Sequence, residues 1–336
     1  MRVDHMFKVI DLHGGGNGTR IIFSGLPHLK SHTMMEKMME FKEKHDWIRK
    51  TMVLEPRGGR NLSSVVITES PNPDAHFGAF FMEEHGYLPM CGSDTISTIT
   101  AMIETGQVPK TGPQTIVRMD TPAGLIEATA QIDGDKVTSV TFLSAPAFCS
   151  LSQVPLKLEK FGEVIIDVAY GGNFYCILDA RQVGLTEFDN TNTKPAVELS
   201  QIVLKAVNEQ YKVEHPELPE IKGVTHVQFF LPPLTEGGPT RDMVILATGN
   251  VDRSPCGTGT TAKVATLCSR DELRLNEPFS HQSPIGSVFT GTAVSQSPVG
   301  NLPGVRVAIT GSAFILADST LYVDNNDPFA QGYVLN

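Results

Sequence analysis

A five-residue pattern occurs twice in this chain, and it constrains the fold more than any other feature. Cys91-Gly92-Ser93-Asp94-Thr95 and Cys256-Gly257-Thr258-Gly259-Thr260 share the form C-G-x-x-T and stand 165 positions apart, close to half of the 336 residues. Each opens a helical pattern. Ile96, Ile99 and Ile103 follow the first at helical spacing, and Thr261, Val264, Ala265 and Cys268 follow the second. Gly106 stops the first helix, with Pro109 just beyond. Repetition of motif, position and following helix predicts an ancient duplication with two similar halves facing each other. Length alone also divides the chain into about two domains.

Around the two motifs, short β-rich runs dominate. Phe7–Leu12 and Thr19–Ser24 flank Gly14-Gly15-Gly16-Asn17-Gly18, which reads as a hairpin turn. Further strands are expected at Ser64–Thr68, Phe77–Met82, Thr115–Asp120, Leu125–Ile132, Val137–Leu143, Glu163–Ala169 and Phe174–Asp179. Later ones fall at Val224–Phe230, Met243–Ala247, Val305–Thr310 and Ala313–Ala317. Thr33-Met34-Met35-Glu36 is a capping box that opens a helix to about Lys44. Another helix is expected over Ala196–Gln210, with Leu199, Ile202, Val203, Ala206 and Val207 on one face. Many strands with few helices give an α+β fold, not a regular βαβ alternation.

Composition narrows the partners. With 27 Lys+Arg against 37 Asp+Glu the net charge is −10, and no basic cluster offers a footprint for nucleic acid or an anionic membrane. Hydrophobic residues at 40% are enough for real cores. No run approaches the ~18 apolar residues of a membrane span, and the first residues lack the apolar stretch of a signal peptide. The five cysteines are too few for a disulfide scaffold and read as reduced thiols, so the expected location is the cytoplasm.

A cysteine at a helix start lies beside unpaired backbone N–H groups and the positive end of the helix dipole. Both favour thiolate over thiol and can bring a thiol pKa from about 8.5 into the neutral range. The glycine after each cysteine lets a ligand approach the backbone, and the same N–H groups can hold a carboxylate. One substrate carboxylate held by two facing helix starts would place a thiol on each side of its α-carbon. One thiolate then removes the α-proton while the opposite thiol delivers a proton to the other face. A single such cysteine is more often a small buried residue than a catalyst; two in repeated contexts favour catalysis. Cys149, Cys176 and Cys268 lie in apolar runs and read as core. His28 and His32 have i,i+4 spacing in a loop with no third ligand, so no metal site is expected. The glycines at 14–18 lead into a strand, which fails the context for a dinucleotide loop.

The motifs in order resemble those of proline racemases and hydroxyproline 2-epimerases from end to end. The matching blocks are Ile10-Asp11-Leu12-His13-Gly14-Gly15-Gly16, Leu54-Glu55-Pro56-Arg57-Gly58 and Gly86-Tyr87-Leu88-Pro89-Met90-Cys91-Gly92. Ala169-Tyr170-Gly171-Gly172-Asn173-Phe174-Tyr175 and Asp252-Arg253-Ser254-Pro255-Cys256-Gly257-Thr258-Gly259-Thr260 complete the set. The resemblance implies two half-domains, each a curved β-sheet wrapped around a central helix as in diaminopimelate epimerase, with the active site between them. Because the final stretch of such chains returns to the first half-domain, the expected division is 1–128 with 318–336, and 129–317. It implies a cofactor-independent reaction on a proline-like amino acid, in a homodimer. Cys91 and Cys256 would be the acid/base pair, and the amides of Gly92, Ser93, Gly257 and Thr258 would hold the carboxylate. Asp252 would accept a hydrogen bond from the ring nitrogen.

The second cysteine separates this chain from the related hydroxyproline dehydratases, which typically carry Thr there. Other positions depart from the family pattern. Ser93 stands where relatives usually have His, Gly59 replaces another His, and Asn17-Gly18 replaces Glu-Pro. Ser63 lies near the Phe of proline-specific relatives. Small Ser63 and Ser93 imply a roomier, more polar pocket. Two alternatives stay open: a trans-3-hydroxyproline dehydratase, and a catalytically inactive amino-acid-binding member of the same fold.

Overall fold

A computed structural model of the chain describes residues 3–189 and 191–335. Its elements fall into two units, Met1–Phe142 with Gly311–Asn336, and Leu143–Thr310. In chain order the first unit holds β1 (His5–Gly14), β2 (Asn17–Ser24), α1 (Met34–Val53), β3 (Leu62–Thr68), β4 (Phe77–Glu83), β5 (Gly86–Leu88), α2 (Gly92–Glu104), β6 (Gln114–Thr121), β7 (Gly124–Asp133) and β8 (Lys136–Leu143). The second holds β9 (Ala147–Leu158), β10 (Gly162–Tyr170), β11 (Phe174–Asp179), α3 (Thr193–Gln210), β12 (His226–Leu231), β13 (Thr240–Leu246), α4 (Gly257–Ser269), β14 (Pro278–Gln282), β15 (Val288–Gln296) and β16 (Gly304–Gly311). The last strand, β17 (Ala313–Val323), belongs to the first unit.

Both units repeat one topology. In the first, the hydrogen-bonded order is β17–β1–β2–β3–β4–β6–β7–β8, with the short β5 also on β4. In the second it is β9–β10–β11–β12–β13–β14–β15–β16, and β16 returns to β9. Parallel pairs fall at matching places: β2–β3 across α1 matches β11–β12 across α3, and β4–β6 across α2 matches β13–β14 across α4. Each cysteine motif therefore opens the second crossover helix of its unit.

These two helices are the centres of their sheets. Every residue of α2 from Gly92 to Ile103 is buried, and the helix packs on β1, β17, β2, β3 and β7. In the same way α4 packs on β9, β15, β10 and β11. A helix buried all round needs small or apolar residues on every face. Both have them, with Ser and Thr between the apolar residues. The outer helices bury one face. Met34, Met38, Phe41, Ile48 and Met52 of α1 join a core with Phe7, Val66 and Phe80, and Leu199, Val203 and Val207 of α3 join the second unit's core.

The Thr33–Glu36 capping box is formed on both sides. The helix it opens runs past Lys44 to Val53, with one non-helical residue at His45, because Ile48, Met52 and Val53 extend the apolar face. The unit boundaries differ from the expected 128/129 and 317/318. Residues 129–142 stay with the first unit because β8 forms a hairpin with β7, and β17 joins it from Ala313 by pairing with β1. Sequence reading also passed over β9, β14 and β15, whose mixed polar and apolar residues lack clean alternation. Cys268, expected in the core, is partly exposed. No helix among the described residues is long and apolar enough to cross a membrane.

The Leu54-Glu55-Pro56-Arg57-Gly58 block fastens the carboxyl-terminal segment. Arg57 donates to the Tyr322, Phe329 and Ala330 carbonyls and to Asp327 Oδ2, and Glu55 bridges to Tyr333. Charge-assisted hydrogen bonds of this kind contribute about 1.5–3 kcal/mol where they are partly buried. We expect Arg57→Ala to lower stability by about 2 kcal/mol and to open cleavage near Phe329–Tyr333 in limited proteolysis. Unchanged cleavage would remove the fastening role.

Candidate active site

Cys91 is the N-cap residue of α2, in extended backbone at φ −143°, and its side chain leaves the cap unfilled. Its Sγ is 3.5 Å from Ser93 Oγ. One turn into the helix, the fully buried Asp94 accepts hydrogen bonds at Oδ1 from Thr19 Oγ1 (2.7 Å) and Ser63 Oγ (2.5 Å). The β1 backbone presses on this turn. A Cβ on Gly14 would lie 2.6 Å from Ser93 O and 2.8 Å from Ser97 Oγ, so only glycine fits.

The second motif is built on the same plan with different chemistry. Cys256 is the N-cap of α4 but sits at φ +61°, a region that non-glycine residues rarely occupy. Its Sγ accepts from Gly259 N–H at 3.4 Å. Tyr175 Oη, fully buried, is 3.4 Å from that sulfur and 2.6 Å from Thr258 Oγ1, and Thr258 Oγ1 is 3.6 Å from the sulfur. Asp252 Oδ1 accepts from the Ser254 N–H and hydroxyl, and Ser254 Oγ in turn accepts from Cys256 N–H. This Asp–Ser turn holds the loop in its unusual conformation. A Cβ on Gly171 would lie 2.2 Å from Thr258 O and 2.5 Å from Ala262 N, the counterpart of Gly14 against α2.

Charge at the two sulfurs departs from the expectation that a helix start alone favours thiolate. Burial pushes both thiols up, and the neighbouring carboxylates, Asp94 for Cys91 and Asp252 for Cys256, push the same way. The Asp94 backbone N–H and Ser93 oppose the rise at Cys91; Tyr175, Thr258 and Gly259 oppose it at Cys256. Desolvation of a small anion outweighs these donors.

Of the expected site residues, Cys91, Gly92, Ser93 and Ser63 gather at the start of α2, and Cys256, Gly257, Thr258 and Asp252 at the start of α4. The first N–H groups of each helix lack intrahelical acceptors and can take a carboxylate. Ser63 does so through Asp94: its hydroxyl is committed to that carboxylate. Sequence reasoning passed over Asp94, Thr19 and Tyr175. The signal for Tyr175 was available, since a tyrosine in an otherwise apolar strand (Phe174–Asp179) needs a partner for its hydroxyl.

Comparison with known proteins shows the family. The family model described as proline racemase matches residues 9–334. A proline racemase of Clostridioides difficile is 38% identical, and a 4-hydroxyproline 2-epimerase of Streptosporangium roseum 37% identical, each over 100% of both chains. The solved structure of a hydroxyproline epimerase from Agrobacterium vitis, with bound trans-4-hydroxy-L-proline, superposes with a TM-score of 0.87 at 31% identity, covering 100% of this chain and 97% of that one. The chain belongs to the proline racemase family and is an isomerase.

Proposed function

We propose that this enzyme inverts the α-carbon of a proline-type amino acid by a cofactor-independent two-thiol mechanism, with 4-hydroxyproline preferred over proline. The observation that carries the reading is the duplicated helix start: two units of one topology each present a cysteine, a glycine and free-ended N–H groups at the same place. The substrate carboxylate takes N–H donors, and one thiol serves each face of the α-carbon. The sulfur on one side takes the α-proton, the electron pair moves into an enolate-like carboxylate, and the opposite S–H returns a proton. Asp252 accepts from the ring nitrogen, which keeps it cationic and acidifies the α-carbon. Small Ser63 and Ser93, where proline-specific relatives carry larger side chains, favour the bulkier hydroxylated ring over a plain one.

The test is NMR in D₂O with L-proline, trans-4-hydroxy-L-proline and trans-3-hydroxy-L-proline. Loss of the α-proton signal with appearance of the inverted isomer, fastest for the 4-hydroxy compound, is expected. Faster turnover of plain proline would overturn the preference. A pyrroline or keto acid product would mean dehydration, and binding without exchange would mean an inactive member.

The pH dependence follows from the thiols. Both are pushed up, so the thiolate that acts as base is a minor form at neutral pH and grows as pH rises. We expect kcat/KM to climb by up to about tenfold per pH unit over the range where one proton must leave. A flat profile from pH 6 to 9 would mean the base is already ionised there. The same shift predicts a stability change of definite sign. A thiol raised in the folded state is stabilised while protonated, so that contribution is lost as pH rises above the unfolded thiol value.

A further inference from the structure

The two helix starts are equivalent in topology but opposite in what they offer their sulfurs, and this sets an order between them. Thr19 pairs in register with Leu12, two residues before Gly14, and Tyr175 pairs with Ala169, two residues before Gly171. Gly14 and Gly171 press on the backbone oxygens of Ser93 and Thr258, each two residues after its cysteine. Thr19 and Tyr175 are therefore counterparts. In the first unit the short Thr19 meets Asp94, a carboxylate three residues after Cys91. In the second that helical position is Gly259, which has no side chain, and the longer Tyr175 reaches the sulfur itself.

We propose that Tyr175 is a positioning residue that makes Cys256 the first of the two thiols to give up its proton. The inference rests on the two-thiol reading above. Three polar groups converge on Cys256 Sγ: Gly259 N–H donates at 3.4 Å, and Tyr175 Oη and Thr258 Oγ1 lie 3.4 and 3.6 Å away. Tyr175 and Thr258 also share a 2.6 Å bond, so whichever way that proton points, an O–H remains to face the sulfur. Cys91 has the Asp94 N–H and one hydroxyl neighbour, Ser93, with the Asp94 carboxylate nearby and no counterpart of the Tyr175 hydroxyl.

Charges around Cys256 do not reverse this order. Asp252 is the carboxylate that opposes the thiolate, and two of its acceptor contacts are filled by Ser254. The His226 ring lies tilted against the Tyr175 ring, centroids 4.8 Å apart, and burial lowers its pKa to about 4. Asp242 and His281 face each other deep behind Thr260, where burial pushes the carboxyl up and the imidazole down, so both are shifted toward their neutral forms. Lys263, farther along α4, lies over the Phe230 ring. In the first half-reaction Cys256 Sγ⁻ takes the α-proton, and Cys91 gives its S–H proton to the opposite face. The cycle ends with Cys256 protonated and Cys91 as thiolate.

The test is a pH titration of the intact chain carrying ¹³Cβ-labelled cysteine, with resonances assigned by Cys91→Ser and Cys256→Ser. Cys256 should titrate at lower pH than Cys91. Tyr175→Phe, which keeps the buried ring, should raise the Cys256 midpoint by about one pH unit or more and leave that of Cys91 in place. The rising limb of kcat/KM should move up by the same amount. Reversed order of titration, or a Cys256 midpoint unmoved in Tyr175→Phe, would overturn the proposal. These resonances are read without substrate, so absence of α-proton exchange would sink the enzymatic reading and leave the order of the thiols standing.

Discussion

Replacing either Cys91 or Cys256 with alanine is expected to reduce inversion by about a thousandfold or more. General acid–base groups typically contribute 10²–10⁴-fold, and here each thiol is both the base for one enantiomer and the acid for the other. Losing one sulfur therefore stops both directions at once. The loss should be in kcat, with KM little changed, because the carboxylate donors are backbone N–H groups that the substitution leaves in place. A finer result separates the two-thiol mechanism from a single-base one. A variant with one thiol left can still remove the α-proton that faces that sulfur and return a deuteron to the same side. In D₂O, Cys256→Ala and Cys91→Ala should thus wash deuterium slowly into opposite enantiomers without producing the inverted isomer. If a single variant still racemises, its missing sulfur is not the second acid.

Much of this was readable from the chain because the repeated C-G-x-x-T motif carries both fold and chemistry. A glycine after a helix-capping cysteine is a local feature, and its second occurrence half a chain away implies the duplicated topology. What stayed illegible depends on register. Tyr175 and Thr19 are counterparts only once β10–β11 and β1–β2 are paired, and nothing in their identities suggests it. Asp94 was passed over, since neither Thr19 nor Ser63 lies near it in sequence. The thiol environment failed for a different reason. A helix start argues for thiolate, but burial and a carboxylate three or four residues away argue against it, and only the folded structure weighs one against the other. Strands β14 and β15 were passed over one at a time, yet the duplication foretells them, because β6 and β7 occupy the same places in the first unit.

Gly171→Ala is expected to be strongly damaging although it adds a single methyl group. The added Cβ would meet Thr258 O at 2.2 Å, Ala262 N at 2.5 Å and Ala262 Cα at 3.1 Å, all of them backbone atoms of a buried helix. Flexible side chains could turn away; a helix backbone cannot, so β10 and α4 must separate. Overpacking in cores costs about 1–3 kcal/mol when side chains can yield, and this contact belongs at or above the top of that range. A loss of about 3 kcal/mol corresponds to a fall of roughly 6–12 °C in the melting temperature for a unit of this size. Activity should fall further than stability alone explains, because the strand is pushed against the turn that carries Thr258 and, through it, Tyr175 and Cys256. Gly59→Ala is the control: a Cβ there meets nothing within 4 Å and its backbone needs no left-handed angle, so it should melt with the parent protein. Equal melting of the two variants would mean that the approach of β10 to α4 is loose. The fixed placement of Cys256 would then have to come from the Asp252–Ser254 turn alone.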